Sequence, residues 1–199
     1  LTNTMVANIE KLKSSVKVHL NSGDIVEADK ALIAVGVQGN VEDLGLEECN
    51  IAVEKGWIKV NEYLETSLVG VYAIGDVAGP PWLAHKASAE GIIASEHIAG
   101  LNPDPMKYDN IPGCTYCHPE VASVGLTEKA AKEKGYEIKI GNFPFRGLGK
   151  SMAVGDTDGF VKVIYDAKYG EMLGCHIIGA EATNLITEAV IARNLENYQ

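Results

Sequence analysis

Apolar and polar residues alternate near the start of the chain and predict a β-hairpin there. Residues 16–20 (VKVHL) place an apolar side chain at every second position, which is typical of a strand with one buried face. Residues 21–24 (NSGD) supply turn chemistry, and residues 25–28 (IVEA) form the returning strand. Residues 31–35 (ALIAV) are apolar throughout and predict a strand inside a covered sheet, ending at Gly36.

The next stretch, up to residue 105, predicts two short strands and one long helix. The strands are expected at residues 57–60 (WIKV) and 71–74 (VYAI). After a Pro-Pro break, residues 83–99 have the length and composition of a helix, and Gly100 is placed to end it. Residues 101–105 (LNPDP) have the composition of a linker.

Strands and helices alternate in the last stretch, and the pattern predicts an antiparallel sheet with helices. Four strands are expected, at residues 121–124, 137–140, 160–165 and 172–178. Residues 166–170 form the turn that joins the last two of them. Thr127 is a capping residue for a helix that ends at Gly135. A last helix begins near Ala182 and runs into residues 197–199.

The predicted elements divide the chain into three units, at residues 1–39, 40–105 and 106–199. The fold class is therefore a mixture, α/β in the first two units and α+β in the third. With 199 residues, of which 46% are hydrophobic, the chain is long enough to bury a sizeable core. Because it begins at Leu1 rather than at Met, a fragment or a processed product is expected.

Composition excludes several classes of protein. The formal net charge is -10, with both signs mixed along the chain, whereas a nucleic-acid-binding face is basic. The longest apolar stretches are far shorter than the roughly 20 residues of a membrane span. The first ten residues lack the basic head and apolar run of a secretory signal. Four cysteines are too few for a disulfide scaffold, so a reducing compartment is expected.

The most informative segment comprises residues 66–79 (TSLVGVYAIGDVAG). A buried strand ends in Gly75, where backbone can approach a ligand closely, and Asp76 follows as an acceptor for ligand hydroxyls. A Gly-Asp pair after a strand is common by itself, but the whole string resembles the second flavin-binding motif of the class I pyridine nucleotide-disulfide oxidoreductases. The resemblance implies that Asp76 accepts a hydrogen bond from the ribityl chain of FAD, with Gly75 beside it.

A second segment, Trp82 to Ala87 (WLAHKA), precedes the long helix. A helix start has free N–H groups and a partial positive charge, although an ordinary helix start with a surface His85 is the simpler interpretation. The string resembles the L-A-H-K-A segment of dihydrolipoamide dehydrogenases, a branch of the same family. That resemblance implies that the backbone of residues 82–85 contacts the pyrimidine edge of the flavin. The four candidates are Trp82, Leu83, Ala84 and His85, and Trp82 replaces the Met that is usual in the family.

Residues 34–36 (AVG) resemble the turn at the edge of the NAD site in this family. Most relatives continue with Arg and Pro, whereas this chain continues with Val37 and Gln38. Gly36 is therefore either an NAD contact or a plain turn glycine.

The third unit resembles the dimerisation domain of the same family. Residues 111–128 match its opening, and the string H-P-E-V-A at residues 118–122 is closer to lipoamide dehydrogenases than to glutathione reductases. Residues 143–145, 159–162 and 174–179 continue the match. The resemblance thus covers nearly the whole chain in order. It implies the remnant of a two-dinucleotide-binding-domain flavoprotein, in which residues 1–39 are the tail of the NAD-binding domain, residues 40–105 are the C-terminal segment of the FAD-binding domain, and residues 106–199 are the dimerisation domain.

The resemblance implies a homodimer that uses FAD and NAD to reoxidise dihydrolipoamide. Its expected partner is the lipoyl domain of a 2-oxoacid dehydrogenase or glycine cleavage complex, and its compartment is the cytoplasm, or the mitochondrial matrix in a eukaryote. The family's FAD-phosphate loop, C-x-x-x-x-C disulfide and catalytic His have no counterpart in this chain. We therefore expect no catalytic residue here, a chain truncated at both ends, and no activity of the chain alone. The alternatives are another flavin disulfide reductase, of the mercuric or glutathione type, and a non-catalytic dimerisation module.

Other motifs favour simpler explanations. Residues 114–118 (CTYCH) fit the C-x-x-C-H pattern of haem attachment and contain a thioredoxin-like C-x-x-C. Both cysteines, Cys114 and Cys117, are expected in a β-rich stretch rather than at a helix start, which favours structural thiols. Residues 149–151 (GKS) mimic the end of a P-loop but lack its first glycine, so a surface loop is predicted. No metal-ligand spacing is present.

Overall fold

The computed structural model describes residues 1–195 and opens with a three-stranded antiparallel sheet. Its strands are β1 (Val6–Lys11), β2 (Val16–Leu20) and β3 (Ile25–Ala28), in that order across the sheet. The predicted hairpin of β2 and β3 is confirmed, residue for residue. The sequence pattern missed β1 because its apolar positions do not alternate, and the β1–β2 register shifts between Val6 and Asn8.

The prediction of a strand at residues 31–35 is wrong. This segment has no regular secondary structure, and Leu32 and Val35 are 93% and 91% exposed. A strand that is apolar on both faces is stable only when neighbouring strands pair with it and other elements cover it. Within residues 1–195 no strand pairs with this segment.

The middle of the chain consists mostly of turns around one helix. A small hairpin joins β4 (Val53–Glu54) to β5 (Trp57–Ile58), so the strand predicted at 57–60 is confirmed only in its first half. The strand predicted at residues 71–74 is wrong, because Tyr72 makes only an isolated bridge to Glu65. The predicted long helix is confirmed as α1 (Ala84–Ile98), and Gly100 follows it with a left-handed φ of 77°.

A five-stranded antiparallel sheet forms the last part of the chain; four of its strands are predicted by the sequence pattern, and the first, a short one, is not. Its strands are β6 (Gly113–Thr115), β7 (Glu120–Gly125), β8 (Ile138–Pro144), β9 (Gly159–Asp166) and β10 (Met172–Gly179). The spatial order is β6-β7-β10-β9-β8, with β10 in the centre. The turn between β9 and β10 is held by the carboxylate of Asp166, which accepts from the backbone N–H groups of Lys168 and Tyr169.

Helices accompany this sheet. Helix α2 (Glu128–Glu133) begins after Thr127, whose hydroxyl accepts from the N–H of Ala130, as the capping pattern predicts. The loop predicted around residues 149–151 is wrong, because a short helix, α3 (Gly149–Val154), forms there. Helix α4 (Ala182–Leu195) begins where predicted. Its predicted continuation into residues 197–199 lies outside the described residues.

The main hydrophobic core lies between α4 and the strands β7 and β10. Its members are buried apolar side chains from the two strands, the helix and the turn after β8: Ala122, Val124, Phe145, Cys175, Ile177, Ala182, Ile186 and Ala189. The carboxylate of Glu120 in β7 accepts from both the N–H and the hydroxyl of Thr183, at 2.9 and 2.7 Å. This contact satisfies a free N–H in the first turn of α4 and fixes the helix on the sheet.

Candidate cofactor site

The segment between Gly75 and Gly79 is a single turn of 3₁₀ helix with a glycine at each end. Gly75 has a φ of +74°, and a β-carbon there would lie 3.3 Å from the β-carbon of Ala87 on α1. Gly79 has a φ of +98°, and a β-carbon there would press against the ring of Trp57 at 3.0 Å. Both positions therefore require glycine, for conformation and for space.

A buried ion pair holds this turn against α1. The side chains of Lys86 and Glu90 are each 1% exposed, and their Nζ–Oε1 distance is 3.0 Å. The Lys86 ammonium also donates to the carbonyls of Gly75 and Gly79, at 3.0 and 2.8 Å. An ammonium has three N–H bonds, so all of the donors of Lys86 are used.

Both oxygens of the Glu90 carboxylate also have hydrogen-bond partners. Its Oε2 accepts from the backbone N–H of Gly75 at 2.7 Å, and its Oε1 accepts from the hydroxyl of Tyr108 at 2.6 Å in addition to Lys86. Burial, followed by the hydrogen bond to Glu90, raises the pKa of Tyr108 far above its ordinary value. The tyrosine therefore remains a protonated donor at any physiological pH.

Sequence reasoning did not single out this network. The signal for the ion pair was available, because Lys86 and Glu90 are four residues apart and so lie on one face of the predicted helix. That spacing is usually a solvated pair, and nothing in the sequence indicates that it is buried. No local pattern connects Tyr108, 18 residues further on, to Glu90.

The structure places Asp76 on the exposed side of the 3₁₀ turn. Its backbone carbonyl accepts from Gly79 at 3.2 Å, while its carboxylate makes no hydrogen bond to another residue in the range 1–195. The carboxylate is thus a free acceptor on a segment that is otherwise fixed. This is the chemistry that a ribityl hydroxyl of FAD requires, so Asp76 fits the role implied by the resemblance.

The start of α1 is also open to a ligand. Leu83 occupies the N-cap position in an extended conformation, and no side chain caps the helix. Ala84 and His85 are exposed. The free N–H groups of the first turn and the positive end of the helix dipole suit an electron-rich edge or an anion. Trp82 nearby has a buried Nε1 that finds no hydrogen-bond partner among the described residues.

Gly36 lies in an exposed segment, with a φ of +94° and open space around its α-carbon. Three residues later the chain reaches the candidate site, because a β-carbon on Gly39 would lie 2.7 Å from the carbonyl of Gly56 and 3.4 Å from the α-carbon of Val77. The assignment of Gly36 to an NAD site stays a prediction.

The remaining candidate chemistry lies elsewhere. All four cysteines are free thiols. Cys114 is half-buried, and burial raises its pKa, whereas the exposed Cys117 donates to the carbonyl of Pro119 at 3.0 Å. His176 lies in β10 as expected and donates to the carbonyl of Leu126 at 3.0 Å. Among residues 1–195, no group of three or more His, Cys, Asp or Glu side chains could hold a metal ion.

Two family models match the chain, one on each side of the linker. Residues 1–91 match the pyridine nucleotide-disulphide oxidoreductase model. Residues 111–197 match the dimerisation domain of the pyridine nucleotide-disulphide oxidoreductases. The chain belongs to the pyridine nucleotide-disulphide oxidoreductases. The predicted fold class, a two-dinucleotide-binding-domain remnant followed by an antiparallel-sheet dimerisation domain, is confirmed.

Two similar curated proteins carry the same name. The chain is 50% identical over 203 aligned residues to a dihydrolipoyl dehydrogenase of Rhizobium etli, covering 100% of this chain and 42% of the relative. It is 53% identical over 170 residues to that of Zymomonas mobilis, covering 85% of this chain and 36% of the relative. The chain thus spans about two fifths of the length of these relatives.

Solved structures give the same fold. The crystal structure of LpdA from Mycobacterium tuberculosis superposes with a TM-score of 0.87 at 26% identity, covering 97% of this chain and 42% of that one. The HOCl-induced flavoprotein disulfide reductase RclA from Escherichia coli superposes with a TM-score of 0.84, also at 26% identity, covering 96% and 44%. In the described part of the chain, no helix has the length and apolar character needed to cross a membrane.

Proposed function

We propose that this chain is part of a dihydrolipoyl dehydrogenase, which reoxidises dihydrolipoamide through a disulfide and FAD and passes the electrons to NAD⁺. The observation that carries the proposal is the identity of 50% or more to curated dihydrolipoyl dehydrogenases, in an alignment that runs through both matched domains. The exposed carboxylate of Asp76 and the uncapped start of α1 supply a wall suited to a flavin.

The residues of this chain would bind and orient the cofactor rather than react. The Asp76 carboxylate would accept from a ribityl hydroxyl of FAD. The backbone of Trp82, Leu83, Ala84 and His85 would face the electron-rich edge of the ring, where the dipole of α1 favours negative charge. Gly36 would lie at the edge of the NAD site. The flavin supplies the electron transfer between thiols and nicotinamide.

The dimerisation domain supports a homodimer as the working state. We expect it to act on the lipoyl domain of a 2-oxoacid dehydrogenase or glycine cleavage complex. The curated relatives are bacterial proteins, which favours the cytoplasm as the compartment.

One alternative is retained, a flavin disulfide reductase with another substrate. RclA is a flavoprotein disulfide reductase that shares this fold at 26% identity. The higher identity to the dihydrolipoyl dehydrogenases favours the first proposal.

The test uses the full-length protein that contains this chain. We expect purified protein to carry FAD and to reduce NAD⁺ with dihydrolipoamide as donor, and to be far slower with glutathione disulfide or Hg²⁺ and NADPH. A protein that carries FAD but prefers glutathione disulfide or Hg²⁺ would favour the alternative. A protein that binds no flavin would overturn both.

A further inference from the structure

The turn that carries Asp76 is held by other parts of the chain rather than by its own side chains. Gly75 and Gly79 bound the turn, and neither offers a side chain for packing. Three backbone groups of the turn form hydrogen bonds with one buried ion pair. Lys86 donates to both glycine carbonyls, and Glu90 accepts from the N–H of Gly75. The position of the backbone that carries Asp76 therefore depends on Lys86 and Glu90, although no hydrogen bond or ion pair joins either of them to the Asp76 carboxylate.

We propose that Lys86, Glu90 and Tyr108 are positioning residues for the flavin, acting through the backbone of residues 75–79 and the carboxylate of Asp76. The proposal rests on the proposed function. It goes further by naming residues that the resemblance to the family does not assign to the cofactor.

Burial explains how the backbone beneath this surface acceptor is kept in one position. The ion pair is enclosed, with both side chains 1% exposed, so water cannot replace a lost partner without opening the packing of the turn on α1. A carboxylate whose backbone is fixed before the ligand arrives binds with a smaller cost for ordering it. By holding the turn rigid, Lys86 and Glu90 therefore raise the affinity of Asp76 for FAD.

Tyr108 extends this support beyond the linker. Its hydroxyl donates to Glu90, and its own turn, residues 108–110, is held by Arg193 of α4, which donates to the carbonyl of Asp109 and to the side chain of Asn110. The third unit therefore helps to fix Glu90. Loss of the Tyr108 hydroxyl should loosen the carboxylate without creating an unpaired charge.

The experiment measures FAD binding to the full-length apoprotein, with the Lys86→Met and Asp76→Ala substitutions made singly and together. We expect Lys86→Met to weaken FAD binding about tenfold when Asp76 is present, which is an ordinary coupling between residues of one network. In the Asp76→Ala background the same substitution should have little further effect. The circular dichroism of the bound flavin should change in Lys86→Met.

A matched control is Lys129→Met, which removes the lysine of an exposed i,i+4 pair with Glu133 and should leave FAD binding unchanged. If Lys86→Met does not fold, the double variant Lys86→Met/Glu90→Leu and the mild variant Tyr108→Phe are measured instead, each with and without Asp76→Ala. We expect Tyr108→Phe to weaken FAD binding by a smaller factor.

Equal loss of affinity in both backgrounds at residue 76 would overturn the positioning role, because the pair would then act on general stability. Unchanged binding in Lys86→Met or in its replacement variants would overturn it as well. The proposed function is judged separately, on the unsubstituted protein: if that protein lacks FAD or lipoamide activity, the function fails before any variant is compared.

Discussion

Lys86 and Glu90, one turn apart on α1, form an ion pair of 3.0 Å that is almost completely enclosed by protein. Desolvation of two charges costs several kcal/mol, and the mutual attraction offsets this only when the remaining donors and acceptors are satisfied. Here the carbonyls of Gly75 and Gly79, the N–H of Gly75 and the hydroxyl of Tyr108 complete the set. The pair therefore contributes more to the shape of the turn than to net stability.

Removing one member of the pair should be costly. We expect Lys86→Met to lower the free energy of unfolding by about 3–5 kcal/mol, because Glu90 would stay buried without its ion-pair partner. Lys86→Met/Glu90→Leu should recover much of the loss. The exposed control Lys129→Met should change stability by only about 0–1 kcal/mol. Urea denaturation of the full-length protein measures all three, and a double variant less stable than the single one would contradict the argument.

The glycine at position 75 should be intolerant of a side chain. Gly75→Ala is expected to destabilise the protein by more than the roughly 1–2 kcal/mol that a left-handed conformation costs a residue with a β-carbon, because the new methyl also crowds Ala87. Gly135→Ala is the matched control, since Gly135 has a φ of +84° with open space around it. Equal losses in thermal denaturation would show that crowding at Ala87 is unimportant.

Acid should weaken the attachment of α4 to the sheet. Hydrogen bonds from the hydroxyl and the N–H of Thr183 lower the pKa of Glu120. Its stabilising contribution is thus fully present above the ordinary carboxyl pKa of about 4.3 and is lost as pH falls through the lower folded-state value. We expect Glu120→Gln to be less stable than wild type at neutral pH, with the difference closing at acidic pH. A difference that persists unchanged to pH 3 in thermal unfolding would refute this.

Thiol reactivity should separate the cysteines by burial. Cys175 is 3% exposed in the core, and burial raises its pKa, so iodoacetamide should modify it only after unfolding. Cys117 is exposed and should react in the native protein. Peptide mass spectrometry over time distinguishes the two sites, and rapid native labelling of Cys175 would mean that the core around β10 opens readily.

The sequence predicted four of the five strands of the sheet and missed the three-residue strand β6; it worked best for β9 and β10, whose pairing is local and antiparallel. Strands β9 and β10 are joined by a short turn, and each shows the expected apolar spacing, as does the capped helix at Thr127. The strands predicted at 31–35 and 71–74 failed for the opposite reason. A strand needs a neighbour, and apolar composition alone does not show whether one is available.

The sequence predicted only some of the residues of the candidate site. Asp76 and the segment before α1 lie in recognisable sequence motifs, whereas the contacts that hold them come from residues distant in the sequence. Glu90 meets Gly75 across 15 residues and Tyr108 across 18. Whether a Lys–Glu pair on one helix face is hydrated or enclosed depends on what packs over it, which local spacing does not encode.

The short turn at Tyr108–Asn110 is fastened on two sides, by Glu90 through a hydroxyl and by Arg193 through a guanidinium. A fluorine label on the ring of Tyr108 would consequently sense both neighbours in one nuclear magnetic resonance signal. A rearrangement around α1 and one around α4 would each move that resonance, so changes in either part of the chain could be followed with a single atom.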